Sequence, residues 1–312
     1  MSGSGKETQN TIHLNECPLC GSKGLFSVMT AVDQYVSHEA FDLVQCPSCG
    51  FLMTQDVPSE QHIGAYYKAE SYISHSDTKK GLMDRLYHGV RSLMLSRKEG
   101  LIHSLLGKRG RLLDIGTGTG YFPSFAKSKG WDVTATEMSA DARLFAKEHF
   151  ALDVQEPDAL RDFPCGNFDV VTLWHVMEHL EHLDAIWKRL YEILDEGGFL
   201  VVAVPNNQSH DAWHYKSRWA AYDVPRHLWH FTPATLKSWA QKYGFHLVDM
   251  KRMPFDSFYV SMLSERQIGN KWSFISGMWE GFMSYCAALF SKGRCSSLIY
   301  VLKKSGQTND LQ

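Results

Sequence analysis

The sequence predicts an α/β fold: a mostly parallel sheet covered by helices on both faces, preceded by a small cysteine-rich module. Three observations lead to this prediction. Apolar strands and amphipathic helices alternate after residue 107, a glycine-rich turn follows the first of these strands, and two matching Cys-x-x-Cys pairs lie near the N-terminus. Such alternation buries a sheet between two helical layers and brings ligands to the carboxyl ends of the strands.

The strands and helices are predicted from hydrophobic periodicity. Strands are expected over residues 111–115, 132–136, 168–174, 198–204, 245–251 and 297–303. Helices are expected over residues 121–129, 139–149, 183–194 and 233–243. A further short strand near 151–154 would complete a seven-stranded sheet.

Composition narrows the class of protein. The 312 residues are 44% hydrophobic and carry a formal charge of -2, so they can form a sizeable core and show no broad basic surface for nucleic acid. The N-terminus has no signal-peptide pattern, and no apolar stretch is long enough to span a bilayer. We therefore expect a cytoplasmic enzyme or binding protein, as a monomer or homodimer, for which nucleic acid is an unlikely partner.

The cysteine pairs "CPLCG" and "CPSCG" present Cys17, Cys20, Cys46 and Cys49. Two such knuckles can direct four thiolates at one tetrahedral zinc ion, with the intervening residues forming a hairpin. The alternatives are two disulfides, which conflict with a cytosolic protein, or two redox pairs, of which one is normally found in a thioredoxin-like setting. The spacing favours a zinc ribbon with four cysteine ligands, in which the metal is structural.

Five regions are expected along the chain. They are a disordered tail (1–12), the zinc ribbon (13–54), a helical linker or lid (55–106), the α/β domain (107–304, with an acceptor-side insertion at 205–232 and an apolar helical insertion at 255–296) and a second tail (305–312).

The turn in "LLDIGTGTGYF" has glycine at three alternate positions after a buried strand. Glycine allows positive φ and lets backbone amides approach a ligand closely, which suits a nucleotide-like group. A dinucleotide fingerprint requires glycine three residues after Gly118, where this chain has Tyr121. A nicotinamide oxidoreductase is therefore disfavoured.

"LLDIGTGTG" resembles the first motif of class I S-adenosylmethionine-dependent methyltransferases, and "TATEMS", "EPDAL", "FDVVTLWHVMEHL" and "EGGFLVVAVPN" resemble the landmarks that follow it. The resemblance covers residues 107–254. It implies a Rossmann-like methyltransferase sheet whose last strand, "SSLIYVLKK", is antiparallel. The N-terminal module is partly similar to that of zinc-module sugar C-methyltransferases, although this chain is shorter.

The resemblance also implies how S-adenosylmethionine is held. Glu137 would accept hydrogen bonds from both ribose hydroxyls, Asp158 would contact the adenine edge, and Trp174 and His175 would lie near the methyl donor. Asp114 would orient the glycine turn and offset the sulfonium charge, or alternatively bond the amides of its own turn. The cofactor-binding residues are thus expected to be Asp114, Gly116, Thr117, Gly118, Gly120, Glu137, Met138, Asp158, Ala159, Trp174 and His175.

Residues 175–179, "HVMEH", match the His-x-x-Glu-His zinc motif of inverted metalloproteases. That motif requires both histidines on one continuous helix, whereas His175 ends an apolar strand. A metal site is therefore not expected from this motif.

The segment "SRWAAYDVPRHLWHFTPATL" is polar, aromatic and basic, and is expected to form the acceptor side of the site. Arg226 would pair with an acceptor carboxylate or phosphate, and His227 would accept the acceptor proton. His179 is a second candidate base, and a buried histidine bonded to backbone is the alternative for each. Tyr72 and His75 would fold over the same cleft.

Residues 272–290 place large apolar side chains at helical spacing, with Lys271, Lys292 and Arg294 at the ends. The favoured interpretation is a helix packed on the domain or across a dimer. Contact with a membrane surface or a lipid-linked acceptor is the alternative, and Glu280 excludes a spanning helix.

The leading hypothesis is methyl transfer from S-adenosylmethionine to a small-molecule acceptor, at oxygen, nitrogen or carbon. Transfer from a sulfonium requires mainly that nucleophile and methyl group be held close and in line. The alternative hypothesis is a zinc-ribbon protein that binds RNA or another protein, with methylation secondary. The low count of basic residues in 13–54 argues against RNA.

Overall fold

The structure, a computed structural model, describes residues 11–67 and 82–306, with the backbone alone described for 82–88. Tyr72 and His75, which were expected to cover the cleft, lie outside the described residues.

The central sheet has six strands, as predicted in type and approximate position. They are β6 (Arg111–Ile115), β7 (Asp132–Thr136), β8 (Phe168–Trp174), β9 (Leu194–Pro205), β11 (Phe245–Arg252) and β12 (Ser297–Lys304). Their order is β11-β12-β9-β8-β6-β7, and β12 runs antiparallel to both of its neighbours. The expected antiparallel last strand is therefore confirmed.

The prediction of a seventh strand is wrong. Residues 151–154 form no strand, and a single parallel bridge joins Gln155 to Thr136. Leu152 and Val154 are buried against Ala146, whereas Asp153 and Gln155 are exposed. The segment thus packs by its apolar residues without extending the ladder.

Helices cover both faces of this sheet. They are α1 (Leu82–Leu106), α2 (Tyr121–Ser128), α3 (Ala140–Phe150), α4 (Leu183–Ile193) and α6 (Pro233–Lys242). Leu112, Val170 and Val201 pack with α1 and α2 in one buried cluster. Their neighbours Leu113, Val171 and Leu200 pack with α4 and α6 in another. Both faces are buried because the strands are apolar at consecutive positions.

The region expected to be a linker contributes a layer of the domain. Leu101 and Ile102 of α1 are buried against the sheet strands. Among the described residues, α1 therefore closes one face of the sheet.

The cysteine-rich module forms a second sheet that also includes part of the predicted acceptor-side segment. Its strands are β2 (Phe26–Val32), β3 (Ala40–Gln45), β4 (Leu52–Thr54) and β10 (Trp229–His230), in the order β10-β4-β3-β2. Two short strands, β1 (Thr11–Ile12) and β5 (Val57–Pro58), pair beside it. Because β10 lies far from β4 in sequence, this pairing joins the module to the α/β domain.

The apolar insertion is a helical hairpin. The short helix α5 (His210–Tyr215) lies beside α7 (Asp256–Gln267) and α8 (Ser273–Phe290). The side of α8 that meets α7 consists of small residues, since a Cβ at Gly277 would lie 2.5 Å from the Met262 Cα. The large apolar side chains of α8 point outward, which contradicts packing on this domain, whereas packing across a dimer stays a prediction. None of the helices in the described part of the chain has the length and apolarity needed to cross a membrane.

Candidate functional site

The glycine turn joins β6 to α2 at the carboxyl end of the sheet. Gly116, Gly118 and Gly120 have φ values of 67°, 57° and 83°, where side chains with a Cβ are disfavoured. A Cβ would meet Val176 within 2.4 Å at Gly116 and Ala146 within 2.8 Å at Gly120, but nothing within 4 Å at Gly118. Two glycines therefore permit close packing, and Gly118 borders an open cradle.

Glu137 follows β7 and reaches the cradle. Its carboxylate accepts hydrogen bonds from the Gly118 amide at 2.8 Å and the Ser139 amide at 2.9 Å. A carboxylate has about four acceptor positions, so hydroxyl groups of a ligand can still bind it. The turn itself is fixed by the Thr136 carbonyl, which accepts from the amides of Gly116 and Thr117. The cradle is thus preformed and carries a carboxylate, which fits a ribose.

Asp114 lies beneath this turn and is 2% exposed. Burial raises the pKa of Asp114 to about 6, and the Thr172 hydroxyl donates to its Oδ1 at 2.5 Å. With that pKa the carboxylate is mostly ionised at neutral pH. The alternative role for Asp114 was to accept hydrogen bonds from the amides of its own turn. The amides of Gly116 and Thr117 donate to the Thr136 carbonyl instead.

The expected adenine side lies next to Glu137, because the Glu137 amide donates to the Gln155 carbonyl at 2.9 Å. Met138 is 62% exposed, and Ala159 is partly buried in the turn after Gln155. The Asp158 carboxylate is exposed and lies 3.3 Å from Arg161. The expected contact of Met138, Asp158 and Ala159 with an adenine stays a prediction.

Trp174 and His175 end β8 on the other side of the turn. His175 has φ of 58° and contacts Asp256 through Nε2 at 3.2 Å and Glu178 through Nδ1 at 3.4 Å. Burial alone would lower the pKa of His175, but these two carboxylates outweigh it and raise the pKa to about 10. His175 is therefore an imidazolium held between two carboxylates.

Lys98 is a residue that the sequence analysis missed. Its Nζ lies 4.3 Å from the Trp174 ring, and burial lowers its pKa while Asp114 and Asp256 partly offset that effect. With Trp174 and Tyr285 it lines a cavity of about 470 Å³ between α1 and α8. The position of Lys98 is apparent only from the contacts between α1 and the strand ends, because no motif in its local sequence indicates a binding site.

His227 lies in the acceptor-side segment and is 9% exposed. Its Nδ1 lies 2.8 Å from the Ala221 carbonyl oxygen. Burial and the neighbouring His179 lower the pKa of His227 well below its usual range. Such an imidazole is a poor proton acceptor at neutral pH, which argues against the expected role as general base. His230 bonds the Thr54 hydroxyl at 2.9 Å and is structural.

Arg226 has a different position from the expected one. The guanidinium is 0% exposed and donates to Asp33 at 2.9 Å, to Asp223 at 2.7 Å and to the Tyr66 carbonyl at 2.9 Å. These partners come from the cysteine-rich module (Asp33), from the segment that follows it (Tyr66) and from the loop of Arg226 itself (Asp223). Arg226 therefore joins the two parts of the molecule, and the assignment to an acceptor anion is corrected on this ground.

His179 contacts the same region from the turn that follows β8. Its Nδ1 lies 3.0 Å from the Arg226 carbonyl oxygen and 3.1 Å from the Tyr67 hydroxyl. The ligand atoms of Glu178, His179 and His227 all lie within 4.8 Å of one another. The helix-based motif rejected for "HVMEH" does not form, because residues 177–179 are one short turn. Glu178 and His179 of this segment instead group with His227, and no local sequence pattern predicts this contact between distant parts of the chain.

The four cysteines converge as the spacing predicts. The Sγ atoms of Cys17 and Cys49 are 3.6 Å apart, and those of Cys20 and Cys46 are 3.5 Å apart. Sulfur atoms at about 2.3 Å from one tetrahedral zinc ion are separated by roughly 3.8 Å. The thiols are too far apart for disulfides and close to the spacing of a zinc site with four cysteine ligands.

Known proteins share parts of this sequence. An uncharacterized methyltransferase from Staphylococcus carnosus is 32% identical over 116 residues, which are 36% of this chain and 56% of that protein. A ubiquinone biosynthesis O-methyltransferase from Pectobacterium atrosepticum is 30% identical over 133 residues, which are 40% of this chain and 54% of that protein. The chain thus matches little more than half of the length of these relatives.

The comparison with solved structures also found a methyltransferase. It is the Burkholderia thailandensis 1,6-didemethyltoxoflavin-N1-methyltransferase, with a TM-score of 0.49, 15% identity, and coverage of 88% of this chain and 100% of that one. The family model described as "methyltransferase domain" matches residues 90–250, which include most of α1, the glycine turn and Glu137. Since this match covers more than half of the chain, the protein belongs to the methyltransferase domain family.

Proposed function

We propose that the protein transfers the methyl group of S-adenosylmethionine to a small-molecule acceptor. The observation that carries this proposal is the preformed cradle, in which Gly118 borders open space and its amide is held 2.8 Å from the Glu137 carboxylate. A glycine backbone beside a ribose-binding carboxylate suits an adenosyl group. The relatives named ubiquinone biosynthesis O-methyltransferase and malonyl-[acyl-carrier protein] O-methyltransferase support the same chemistry.

The cofactor would lie across the ends of β6, β7 and β8. In this arrangement Glu137 holds the ribose, Met138, Asp158 and Ala159 border the adenine, and Asp114 offsets the sulfonium charge from below. The cradle lies between strands whose positions are fixed by the sheet. The methyl donor would therefore be held in line with an acceptor near His175, and such positioning supplies much of the rate acceleration.

The acceptor would enter on the side of His179 and His227. In contrast to the cofactor edge, this side is lined by histidines, carboxylates and the Tyr67 hydroxyl, which are suited to a polar, oxygen-bearing small molecule. The bond that forms joins the acceptor atom to the methyl carbon as the carbon–sulfur bond breaks, and the electron pair returns to sulfur. The products are a methylated acceptor and S-adenosylhomocysteine.

We also propose that Cys17, Cys20, Cys46 and Cys49 hold a structural zinc ion. Four thiolates complete a tetrahedral site and leave no open position for chemistry. Cys17, Cys46 and the nearby Phe51 belong to the main buried cluster of the α/β domain. The ion would therefore stabilise the wall of the acceptor side as well as the module itself.

Calorimetry with S-adenosylhomocysteine tests the proposed function. Glu137→Ala should weaken binding by about 30-fold or more, since a hydrogen bond to a charged group contributes about 1.5–3 kcal/mol. The matched control is Glu148→Ala, which removes an exposed carboxylate from α3. Absence of binding by the folded wild-type protein, or equal loss in both variants, would contradict the proposal.

A macromolecular binding protein is the second candidate function. Its support is the second sheet, in which β10 of the α/β domain extends the sheet of the cysteine-rich module. A partner captured equally well by wild type and Glu137→Ala would favour this alternative.

A further inference from the structure

The turn after β8 and the loop before β10 bring three metal-binding side chains together. They are Glu178, His179 and His227, and their ligand atoms lie within 4.8 Å of one another. The backbone fixes this approach, because the Leu228 amide donates to the Glu178 carbonyl at 2.9 Å. Two segments distant in the chain are thus held in register around the cluster.

The Glu178 carboxylate is unusual for a buried group. The residue is 1% exposed, and among the described residues neither carboxylate oxygen has a hydrogen-bond partner. The imidazolium of His175 faces it across a longer distance, with Nδ1 3.4 Å away. Burying a carboxylate without hydrogen bonds costs folding free energy. Coordination of a metal ion by Glu178 is a physical explanation for a carboxylate at this position.

The two histidines are oriented as metal ligands usually are. The Nδ1 atoms of His179 and His227 lie 3.0 Å and 2.8 Å from backbone carbonyl oxygens, which can only accept hydrogen bonds. Each Nδ1 therefore carries the proton and each Nε2 keeps its lone pair. Hydrogen bonds of this kind fix the tautomer of metal-bound histidines. The Asp223 carboxylate lies 3.9 Å from the His227 Nε2, beyond hydrogen-bond distance.

We infer that Glu178, His179 and His227 bind a divalent transition-metal ion. Two imidazoles and one carboxylate suit zinc, manganese, iron or cobalt, and three protein ligands leave coordination positions open. Ligand atoms about 2.1 Å from one ion are roughly 3 to 4 Å apart, so small side-chain rotations close the site.

This site would act on the acceptor, an inference that rests on the proposed function. Val176, two residues before Glu178, lies against the glycine turn, so the cluster is next to the cofactor edge. The metal would bind an acceptor hydroxyl and lower its pKa, so that its proton leaves to solvent water. The acceptor oxygen then forms the bond to the methyl carbon as the carbon–sulfur bond breaks. No protein base is required in this step.

The test is a titration with Co²⁺ of the full-length protein after mild chelation that leaves the cysteine-bound zinc in place. We expect one further equivalent of cobalt, with weak visible absorption and without the charge-transfer band of thiolate ligands. His227→Ala and Glu178→Gln should each weaken binding by more than about 100-fold, since loss of an outer partner alone costs 10- to 100-fold. His182→Ala is the matched control, because His182 follows the same turn and its side chain is 72% exposed.

Calorimetry with S-adenosylhomocysteine, run on each variant, separates the outcomes. If wild type binds the nucleoside but takes up no second metal, or if His227→Ala binds cobalt as wild type does, the metal site is overturned and the proposed function stands. If cobalt binds as expected and the nucleoside does not, the proposed function fails alone. If His227→Ala or Glu178→Gln loses both cobalt and nucleoside binding, the test moves to His179→Ala, because the half-buried His179 side chain can be removed with less damage to the fold. If His179→Ala binds cobalt with unchanged affinity, the metal site is overturned.

A second and independent observation concerns the outer face of the α7–α8 hairpin. Trp279 and Phe290 of this face are 64% and 92% exposed. Other large apolar side chains exposed there include Tyr259, Trp272, Phe274, Ile275 and Phe282. An apolar surface of this size marks an interaction site.

Charge identifies the partner. The acidic residues of the hairpin point inward: Glu280 contacts His210 at 3.2 Å, Glu265 accepts from the Tyr215 hydroxyl, and Asp256 contacts His175. Lys271, Lys292 and Arg294 are exposed at the ends, and of these Lys292 has a carboxylate, Asp249, 3.8 Å away. Aromatic side chains flanked by cations suit the surface of an anionic bilayer. We propose that this face binds such a membrane surface.

Cosedimentation with vesicles tests this second proposal. The protein should bind vesicles of phosphatidylcholine with phosphatidylserine better than vesicles of phosphatidylcholine alone, and the double variant Trp279→Ser, Phe282→Ser should lose roughly 10-fold or more of this binding. Leu144→Ser, which alters an exposed apolar residue of α3, is the control. Absence of vesicle binding, or a dimer in solution that the double variant dissociates, would overturn the proposal.

Discussion

The proposed cofactor edge and the proposed acceptor edge of the site are built in different ways. The cofactor edge comes from one continuous stretch, in which β6, the glycine turn, β7 and Glu137 follow each other along the chain. The acceptor edge combines the turn after β8, the loop before β10 and the cysteine-rich module. It depends on pairs such as Thr54 with the His227 carbonyl and Arg226 with Asp33.

This difference has an energetic consequence. Changes at the cofactor edge should act on ligand affinity or local strain, because β6, which leads into the glycine turn, pairs with β8 on one side and with β7 on the other. Changes in the module should act on the acceptor edge from a distance, because β4 and β10 share one sheet. Three experiments would sharpen this comparison or break it.

The largest effect is expected from Cys46→Ser. Loss of one thiolate should release the zinc and destabilise the module by about 5 kcal/mol or more, since structural zinc binding contributes about 10–16 kcal/mol to small zinc domains. Zinc content and limited proteolysis measure the change, and the exposed Cys165→Ser is the control. In Cys46→Ser, residues 11–67 should lose most of their resistance to proteolysis, whereas the affinity for S-adenosylhomocysteine should fall only slightly. Equal loss of both would show that the two edges are not separable.

A smaller effect is expected from Asp33→Asn, which removes one partner of the buried Arg226. Burial alone would raise the pKa of Asp33, but hydrogen bonds from Ser37 and Arg226 outweigh it and lower the pKa. Removing one member of a buried pair costs about 3–5 kcal/mol, and we expect about 3 kcal/mol because Asp223 still pairs with Arg226.

The pH dependence of this loss follows from the lowered pKa. The contribution of ionised Asp33 is present above the ordinary carboxyl pKa of about 3.9 and is lost as pH falls through the lower folded-state pKa. Urea unfolding at pH 7 and at acid pH should therefore show the variant and wild type converging in acid. The exposed Asp42→Asn is the control, and a difference that stays constant with pH would contradict the assignment.

The smallest effects are expected at the glycine turn, where two substitutions should separate stability from binding. Gly116→Ala places a Cβ 2.4 Å from Val176 at positive φ and should cost about 2 kcal/mol of stability. Gly118→Ala meets nothing within 4 Å, so it should cost about 1 kcal/mol and instead weaken S-adenosylhomocysteine binding by obstructing the cradle. Thermal unfolding and calorimetry on both variants measure the pair. The reverse pattern would place the ligand elsewhere.

Much of this protein was determined by the sequence by itself. The positions of the sheet strands, the convergence of four cysteines and the glycine turn follow from local patterns, whereas the antiparallel β12 is what the resemblance to class I methyltransferases implied. Hydrophobic period, turn glycines and Cys-x-x-Cys spacing express constraints between residues that are near each other in the chain.

Tertiary structure alone decided the rest. Arg226 was expected to bind the acceptor, and the large apolar face of α8 was expected to pack on the domain or across a dimer. Instead, Arg226 is buried against Asp33, and that face is exposed on this domain. Lys98 and the grouping of Glu178 with His227 had no local signal. Each of these outcomes depends on contacts between segments far apart in the chain, and neither composition nor periodicity carries information about which distant surfaces meet.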